Sequence, residues 1–322
     1  MSTVSATLFS AALWSLDQPQ PPPGAYGDLA LPPEATDITA AYDALCVDGV
    51  LDKARVDAAF AAAQAQLSGH RVAFVPPLLS DVWRPVNRFG LPAYLDCPDV
   101  EACLAPVDTG ASVADNAARL IAFIEASDRP LWLVTQSKGG VDLLEALVRR
   151  PDLATRVAGW IALQAPFFGS PIADMASDGT RARALVQSLA KLLAGDVEAV
   201  RDLRTDTRRA YMAAHAASIR ELARRIHVLS VTMSPAAQGS VFSKLAPAIP
   251  TIPWMERLGL ENDGLVPVNA AILPGSHVIH VRGLIHGEPT LRPFLWSDAA
   301  DSATAIRAYF ALATQDHPGR AQ

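Results

Sequence analysis

The sequence lacks the features that would assign it to a membrane or to a nucleic acid. No apolar run approaches the roughly 18 residues that a spanning helix needs, although 50% of the residues are apolar. The 27 Lys and Arg residues are outnumbered by 33 Asp and Glu residues and form no cluster that could follow a phosphate backbone. The richest basic stretch, residues 201–225, mixes Arg with Ala and acidic residues, as a solvated helix face does. We therefore expect no transmembrane segment and no nucleic acid partner.

Cysteine is scarce, and the N-terminal region lacks positive charge. Because Cys46, Cys97 and Cys103 cannot all pair within one chain, free and largely buried thiols are expected. No Lys or Arg precedes Lys53, so the apolar segment 6–16 lacks the basic region that comes before a signal-peptide core. The two absences together predict a cytoplasmic protein, with secretion left as the open alternative.

The N-terminal part differs in composition from the rest of the chain. Residues 18–33 are rich in proline, which predicts an extended arm over residues 1–34. One domain is expected from residue 35 to residue 322, because α/β folds of this length often form a single unit. Helix-like spacing in residues 37–67, ended by Gly69, predicts one or two helices there.

From residue 72 onwards, short apolar runs alternate with amphipathic stretches, which is typical of a parallel sheet with helices between its strands. Ser112 is placed to cap a helix that starts after it, and helices are also predicted over residues 138–150 and 302–313. The expected fold class is α/β, with a mostly parallel central sheet and helices on both faces. The predicted strands are residues 72–75, 102–107, 131–134, 157–163, 226–233 and 278–281.

Two long connections interrupt this rhythm. About 60 residues separate the predicted strands at 157–163 and 226–233, far more than an ordinary connection has. They predict a helical cap over about residues 172–225, built from helices at 180–194 and 197–225. The second connection, residues 234–262, has little periodicity and predicts a long loop that forms a lid or a pocket wall. It contains Pro235, Pro247, Pro250 and Pro253.

The strongest chemical signal is Ser137, which lies between the predicted strand at 131–134 and the helix that follows it. In a nucleophile elbow the serine occupies a strained strand-to-helix turn, and the residues two positions to either side must be small. Gly139 meets this requirement, whereas Thr135 departs from the usual glycine. The alternative interpretation is that Ser137 only caps the helix, which is a common role for serine.

An aspartate and a histidine follow Ser137 in the chain. Folds with a nucleophile elbow carry their catalytic residues in this order of serine, acid and histidine. Asp263 stands in a loop before the last predicted strand, although an Asp-Gly pair also forms ordinary turns. His286 comes just after that strand, where a general base is expected. His277 and His280 flank or lie within that strand and would point to opposite faces of the sheet, so they do not form a metal-binding pair and we predict no metal site. The others have no evident chemical partner and are His70, His215, His227 and His317.

Three segments resemble the α/β-hydrolase superfamily and, within it, lipase-like esterases. The sequence SKGGVD at 137–142 looks like the lipase elbow, and DGLVP at 263–267 looks like the loop that carries the acid. ALQAPFFGSP at 162–171 is similar to a family segment that usually reads Thr-Pro-His-x-Gly-Ser. The resemblance extends from about residue 72 to the C-terminus and leaves residues 1–70 without a counterpart.

The resemblance implies a serine esterase that needs no metal or organic cofactor. Ser137 would be the nucleophile, His286 the base and Asp263 the group that orients it. The backbone N–H groups of Lys138 and Leu78 would form the oxyanion hole. The substrate would be a small or polymeric ester.

Two departures from the family pattern concern the walls of the predicted site. Pro76-Pro77 replaces the usual His-Gly, and because proline has no N–H, the second oxyanion donor must follow them as Leu78 or Leu79. Phe167 or Phe168 replaces the usual histidine and implies a more apolar wall. The predicted pocket residues are Leu79, Gln136, Phe167 and Phe168.

Other activities of the same fold remain open from the sequence. A thioesterase or an acyltransferase would use the same three residues. A catalytically inactive hydrolase fold that serves as a binding protein is the alternative from a different class, because Pro76-Pro77 and Thr135 both depart from the usual pattern. Haloalkane dehalogenases and epoxide hydrolases of this fold would carry Asp in place of Ser137.

Overall fold

The structure is a computed structural model that describes residues 32, 34–78, 95, 97, 99–177, 197–237, 239, 241–249, 251–288 and 299–315. Within these ranges, seven strands form one parallel sheet and two more form a separate hairpin. The strands are β1 (Thr36–Asp37), β2 (Cys46–Val47), β3 (Val50–Leu51), β4 (Arg71–Val75), β5 (Glu101–Leu104), β6 (Leu131–Gln136), β7 (Val157–Leu163), β8 (His227–Ser234) and β9 (His277–Arg282).

The strands of the sheet follow the spatial order β1-β9-β8-β7-β6-β4-β5, and every neighbouring pair is parallel. β6 is buried along its whole length between β4 and β7. Its side chains alternate between the two faces, because Leu131 and Leu133 belong to one core cluster and Trp132 and Val134 to the other. The six strands predicted from residue 72 onwards are all present. β5 ends before the predicted residue 107, since Pro106 cannot donate to a neighbouring strand.

Helices cover both faces of the sheet, which confirms the predicted fold class. On one face, α1, α2 and α11 contribute Tyr42, Phe60 and Phe310 to a core cluster. On the other face, α3, α4 and α8 contribute side chains such as Leu120 and Leu222. The helices are α1 (Thr39–Asp43), α2 (Lys53–Leu67), α3 (Val113–Glu125), α4 (Lys138–Arg149), α5 (Pro171–Ser177), α6 (Val197–Arg201), α7 (Thr205–Ala214), α8 (Ala216–Arg225), α9 (Val241–Lys244), α10 (Thr251–Arg257) and α11 (Ala299–Ala313).

The region predicted as one or two helices at 37–67 also contains strands. α1 and α2 are separated by the hairpin of β2 and β3, which turns at Asp48 and Gly49, both with positive φ. β1 pairs with β9 and so joins the main sheet. The periodicity did not predict these strands, because each has only two residues. Of the predicted N-terminal arm, only residues 32 and 34 lie within the described ranges.

The predicted single helix at 197–225 is wrong, because the chain leaves the helical conformation twice. Arg204 has φ −62° and ψ 147°, and His215 has φ −108° and ψ 16°, so three helices take its place. Ile219 and Leu222 of α8 pack into the same core cluster as α3 and α4. This part of the predicted cap is therefore an ordinary outer-layer helix, and the predicted helix at 180–194 lies outside the described residues.

The connection at 234–262, which was predicted as a long loop with little periodicity, contains the helices α9 and α10 and a short 3₁₀ helix, Ala246–Ala248. Trp254 and Met255 of α10 are buried together with Leu260 in a small apolar cluster, against which Ile172 and Met175 of α5 pack. No helix in the described part of the chain is long and apolar enough to cross a membrane. The three cysteines are half-buried and form no disulfide with one another.

Candidate active site

Ser137 occupies a strained turn between β6 and α4. Its φ of 52° and ψ of −126° lie in a region that only glycine adopts readily, at a cost of about 1–3 kcal/mol. Its N–H donates to the carbonyl of Leu163 on β7 at 2.9 Å. The Ser137 side chain makes no capping hydrogen bond to α4, so the interpretation of this residue as a simple helix cap is wrong.

Close packing around α4 explains the small residues next to Ser137. A Cβ atom on Gly139 would lie 2.5 Å from the carbonyl oxygen of Val75 and 2.8 Å from that of Pro76. Such contacts do not occur in folded proteins, so only glycine allows α4 to approach the end of β4 this closely. Thr135 is fully buried, and its hydroxyl accepts a hydrogen bond from the indole N–H of Trp160 at 2.9 Å. This bond accounts for a threonine where a glycine is usual.

The Lys138 side chain points into the interior and forms a buried ion pair on α4. Its Nζ lies 2.7 Å and 3.0 Å from the two carboxylate oxygens of Asp142, and Asn116 Nδ2 donates to Asp142 at 2.9 Å. Burial raises the pKa of Asp142 to about 6, even though Lys138 and Asn116 act in the opposite direction. As the first residue of α4, Lys138 has no carbonyl within its own helix to accept its backbone N–H. That N–H group is one of the two predicted oxyanion donors.

Asp263 and His286 form a hydrogen-bonded pair. His286 Nδ1 lies 2.8 Å from Asp263 Oδ2, and Asp263 is almost fully buried. The other carboxylate oxygen of Asp263 accepts the N–H groups of Leu265 and Val266 at 3.0 Å and 2.8 Å. The backbone carbonyl of Asp263 also accepts the N–H of His286 at 2.8 Å. Because Asp263 engages Nδ1, the Nε2 atom of the ring is left to exchange a proton with another group.

The loop around His286 is held by two further side chains that sequence patterns did not identify. The Glu288 carboxylate accepts the N–H of Ile285 at 2.8 Å. The Gln164 amide accepts the N–H of Gly287 at 3.0 Å and donates to the carbonyl of Ile285 at 3.2 Å. These last partners are 123 and 121 residues from Gln164 in the chain, so no local pattern could have revealed them.

The structure places the predicted pocket residues in different environments. Phe168 is half-buried, and Leu78 is half-buried against Val141 and other apolar residues. Gln136 and Phe167, in contrast, have no exposed surface, and Phe167 packs edge-on against Trp160 with 5.7 Å between ring centroids. They are core residues in this structure and have no surface with which to line a pocket. Leu79 lies outside the described residues.

His280, Ser234 and Glu261 form a separate polar cluster. His280 Nε2 lies 2.9 Å from Ser234 Oγ, which donates to Glu261 Oε1 at 2.8 Å. Burial lowers the pKa of His280. Across the residues that the structure describes, no group of three or more His, Cys, Asp or Glu side chains is arranged to hold a metal ion.

Comparison with solved structures identifies the fold. The chain aligns with a metagenomic carboxyl esterase over 76% of each chain, at 24% sequence identity and a TM-score of 0.59. It aligns with a Bacillus licheniformis lipase in its mature form over 67% of this chain and 84% of the lipase, at 23% identity and a TM-score of 0.53. No protein-family model matches the sequence, and no curated protein matches it. Together with the parallel seven-stranded sheet, these alignments show that the chain has the α/β-hydrolase fold.

Proposed function

We propose that this protein is a serine hydrolase that cleaves carboxylic esters through an acyl-enzyme intermediate. The observation that carries the proposal is the 2.8 Å hydrogen bond between His286 Nδ1 and the buried carboxylate of Asp263. A carboxylate in this position fixes the histidine tautomer and stabilises the imidazolium that forms when Nε2 takes a proton. The substrate class comes from the two aligned structures, which are described as a carboxyl esterase and a lipase.

Parallel strands bring Ser137 and His286 to the same edge of the sheet. Ser137 follows the carboxyl end of β6, and His286 follows that of β9. The N–H of Ser137 bonds to Leu163, and the next residue, Gln164, bonds to the chain on both sides of His286. Among the described residues, no hydrogen bond joins the Ser137 hydroxyl to His286. We expect this bond to form with substrate, because catalytic hydrogen bonds are often long before binding.

In the proposed reaction, Ser137 Oγ attacks the ester carbonyl carbon while His286 Nε2 takes the hydroxyl proton. The tetrahedral oxyanion would accept the N–H groups of Lys138 and Leu78. His286 then gives its proton to the leaving alkoxide as the ester C–O bond breaks. A water molecule attacks the acyl-enzyme with His286 again as the base, and this step releases the acid and restores Ser137. Asp263 stays ionised throughout.

The test is covalent labelling of the protein with a fluorophosphonate probe, together with hydrolysis of p-nitrophenyl esters of short and long acyl chains. Ser137→Ala should abolish labelling and lower kcat by about 10⁴-fold or more, with little change in thermal stability because the Ser137 side chain makes no capping hydrogen bond. The acyl-chain profile of the wild type separates an esterase from a lipase.

Ser112→Ala is the matched control, because Ser112 is a serine that caps a helix. Its side chain accepts the N–H of Asp115 at 3.1 Å. Its loss should lower the free energy of unfolding by about 1 kcal/mol and leave labelling and kcat unchanged. Absence of labelling in the wild type, or turnover that persists in Ser137→Ala, would contradict the proposal.

A further inference from the structure

Gln164 combines a strained backbone with complete burial. Its φ is 51°, and no part of the residue is exposed. A non-glycine residue at positive φ is uncommon, and it persists only where the surrounding structure holds it in place. The N–H of Gln164 bonds to the carbonyl of Val231 on β8 at 2.9 Å, which fixes its backbone in the sheet. The Gln164 side chain therefore projects from a backbone that is held in place.

The oxygen and the nitrogen of the Gln164 side-chain amide both form hydrogen bonds with the loop that carries His286. Oε1 accepts the N–H of Gly287, and Nε2 donates to the carbonyl of Ile285, so the amide spans the residues on either side of His286. The two bonds agree on which atom is oxygen and which is nitrogen, because the acceptor faces an N–H and the donor faces a carbonyl. The main chain at His286 is thus tied to the end of β7.

The same short segment of β7 also holds the Ser137 turn. Leu163 accepts the N–H of Ser137 at 2.9 Å, and Gln164 is its immediate neighbour. One dipeptide therefore sets the position of two groups that come from distant parts of the sequence. Asp263 orients the imidazole ring, whereas Gln164 fixes the chain from which that ring projects.

We propose that Gln164 is a positioning residue for His286, and that its two hydrogen bonds set the distance between the base and Ser137. This inference rests on the proposed function. A displacement of about 1 Å can lower a rate by about 10²-fold. Loss of the amide should therefore lower kcat and leave KM nearly unchanged, since Gln164 is fully buried and has no surface for substrate.

Two variants of similar size test the proposal. Gln164→Leu removes both hydrogen bonds and should lower kcat and the rate of fluorophosphonate labelling by about 10- to 100-fold, with KM within about twofold of the wild type. Gln164→Glu retains the shape. When its carboxyl group is protonated, its carbonyl can accept from Gly287 and its O–H can donate to Ile285, which restores both bonds.

The pH dependence of Gln164→Glu separates positioning from a merely structural role. Ionisation leaves a carboxylate facing the carbonyl of Ile285, so the ratio of kcat/KM in the variant to that in the wild type should approach one at low pH. It should fall as the pH rises through the pKa of the new carboxyl group, which burial raises. The nearby titratable groups, His286, Asp263 and Glu288, are present in both proteins, so a difference between the two pH profiles comes from the new carboxyl group, through its hydrogen bonds and its charge. Circular dichroism at each pH reports the folded fraction.

Gln64→Glu is the matched control, because it makes the same chemical change on the exposed surface of α2. Its ratio of kcat/KM to that of the wild type should stay constant with pH.

The proposal is overturned if folded Gln164→Leu has the kcat of the wild type. It is also overturned if the ratio for Gln164→Glu does not change with pH or changes only with the folded fraction. Should Gln164→Leu fail to fold, the pH profile of Gln164→Glu decides alone. A wild type without Ser137-dependent labelling would instead refute the proposed function, so the two failures are distinguishable.

Discussion

The Ser137 turn and the His286 loop lie at the same edge of the sheet, but different forces hold them. The Ser137 turn depends on shape, because α4 approaches β4 so closely that only glycine fits at position 139. The His286 loop depends on polar side chains, since Asp263, Gln164 and Glu288 bind its ring and its backbone. Packing and one backbone hydrogen bond, from Ser137 to Leu163, therefore set one half of the candidate site, whereas side-chain hydrogen bonds set the other.

This difference predicts how each half responds to substitution. A change in shape at the Ser137 turn moves the backbone, so stability and activity should fall together. A change in a hydrogen-bonding group at the His286 loop alters the orientation or tautomer of one ring, so activity should fall further than stability. The following substitutions test these expectations.

Asp263→Asn should have the largest effect. The side-chain oxygen of the new Asn can still accept the N–H groups of Leu265 and Val266, which keeps the turn. Its amide would then donate to His286 Nδ1, which places the ring proton on Nε2 and prevents that atom from acting as a base. We expect kcat to fall by about 10⁴-fold with little change in melting temperature, as measured by ester hydrolysis and thermal unfolding.

The matched control for Asp263→Asn is Asp48→Asn, in the exposed Asp-Gly turn between β2 and β3. This control should leave both kcat and melting temperature unchanged. If Asp263→Asn retained more than about a tenth of the activity, Asp263 would be an ordinary turn residue and the comparison of the two regions would fail.

Gly139→Ala should have the next largest effect. Its Cβ would lie within 2.8 Å of the carbonyl oxygens of Val75 and Pro76, so α4 must move away from β4. Overpacking of this kind costs about 1–3 kcal/mol, and the shift of Ser137 should lower kcat at least about tenfold in the protein that remains folded. Urea denaturation and ester hydrolysis measure the two effects.

Gly259→Ala provides the comparison for Gly139→Ala. Gly259 has a φ of 78° but open space around it, so an alanine there suffers backbone strain without a clash. It should lose stability and keep the kcat of the wild type. A Gly139→Ala protein with normal kcat would show that the close approach of α4 is unnecessary for the geometry of Ser137.

Thr135→Val should have the smallest effect on catalysis. The substitution preserves shape but leaves the buried indole N–H of Trp160 without its acceptor, at a cost of about 1–3 kcal/mol. Because the shape of the turn is retained, kcat should stay within about twofold of the wild type. Thr135→Ser keeps the hydroxyl and should recover most of the lost free energy of unfolding, as measured in urea. Equal stability of the two variants would mean that the hydrogen bond to Trp160 contributes nothing.

The sequence predicted those parts of the molecule that depend on residues near one another in the chain. The sheet strands from residue 72 onwards show as apolar runs, and Ser112 caps α3 as expected. The position of Ser137 between a strand and a helix was also predictable, because its small neighbour Gly139 lies two residues away. Asp263 and His286 were predicted from their order in the chain, from their positions before and after the last strand, and from the resemblance of residues 263–267 to the acid loop of the family. Their hydrogen bond was visible first in the structure.

The parts that could not be predicted depend on contacts between distant residues. Gln164 belongs to a recognisable segment, but its role emerges only when Ile285 and Gly287 come beside it. Phe167 was expected in a pocket wall because it stands where a histidine is usual. It lies in the core because Trp160 packs against it. The interruption of the helix at Arg204 could not be predicted, because no proline or glycine lies next to it in the sequence.

The two-residue strand β1 affects whether the edge of the sheet can pair with another copy of the protein. Thr36 and Ile38 donate their N–H groups to Ser276 and Val278 at 2.9 Å each, and the Thr39 hydroxyl accepts the N–H of His280 at 3.0 Å. Without this cover, β9 would present a row of unpaired backbone groups, which is a template for pairing with another chain. Residues 36–39 thus shield β9, the strand that leads to His286, from aggregation at its edge.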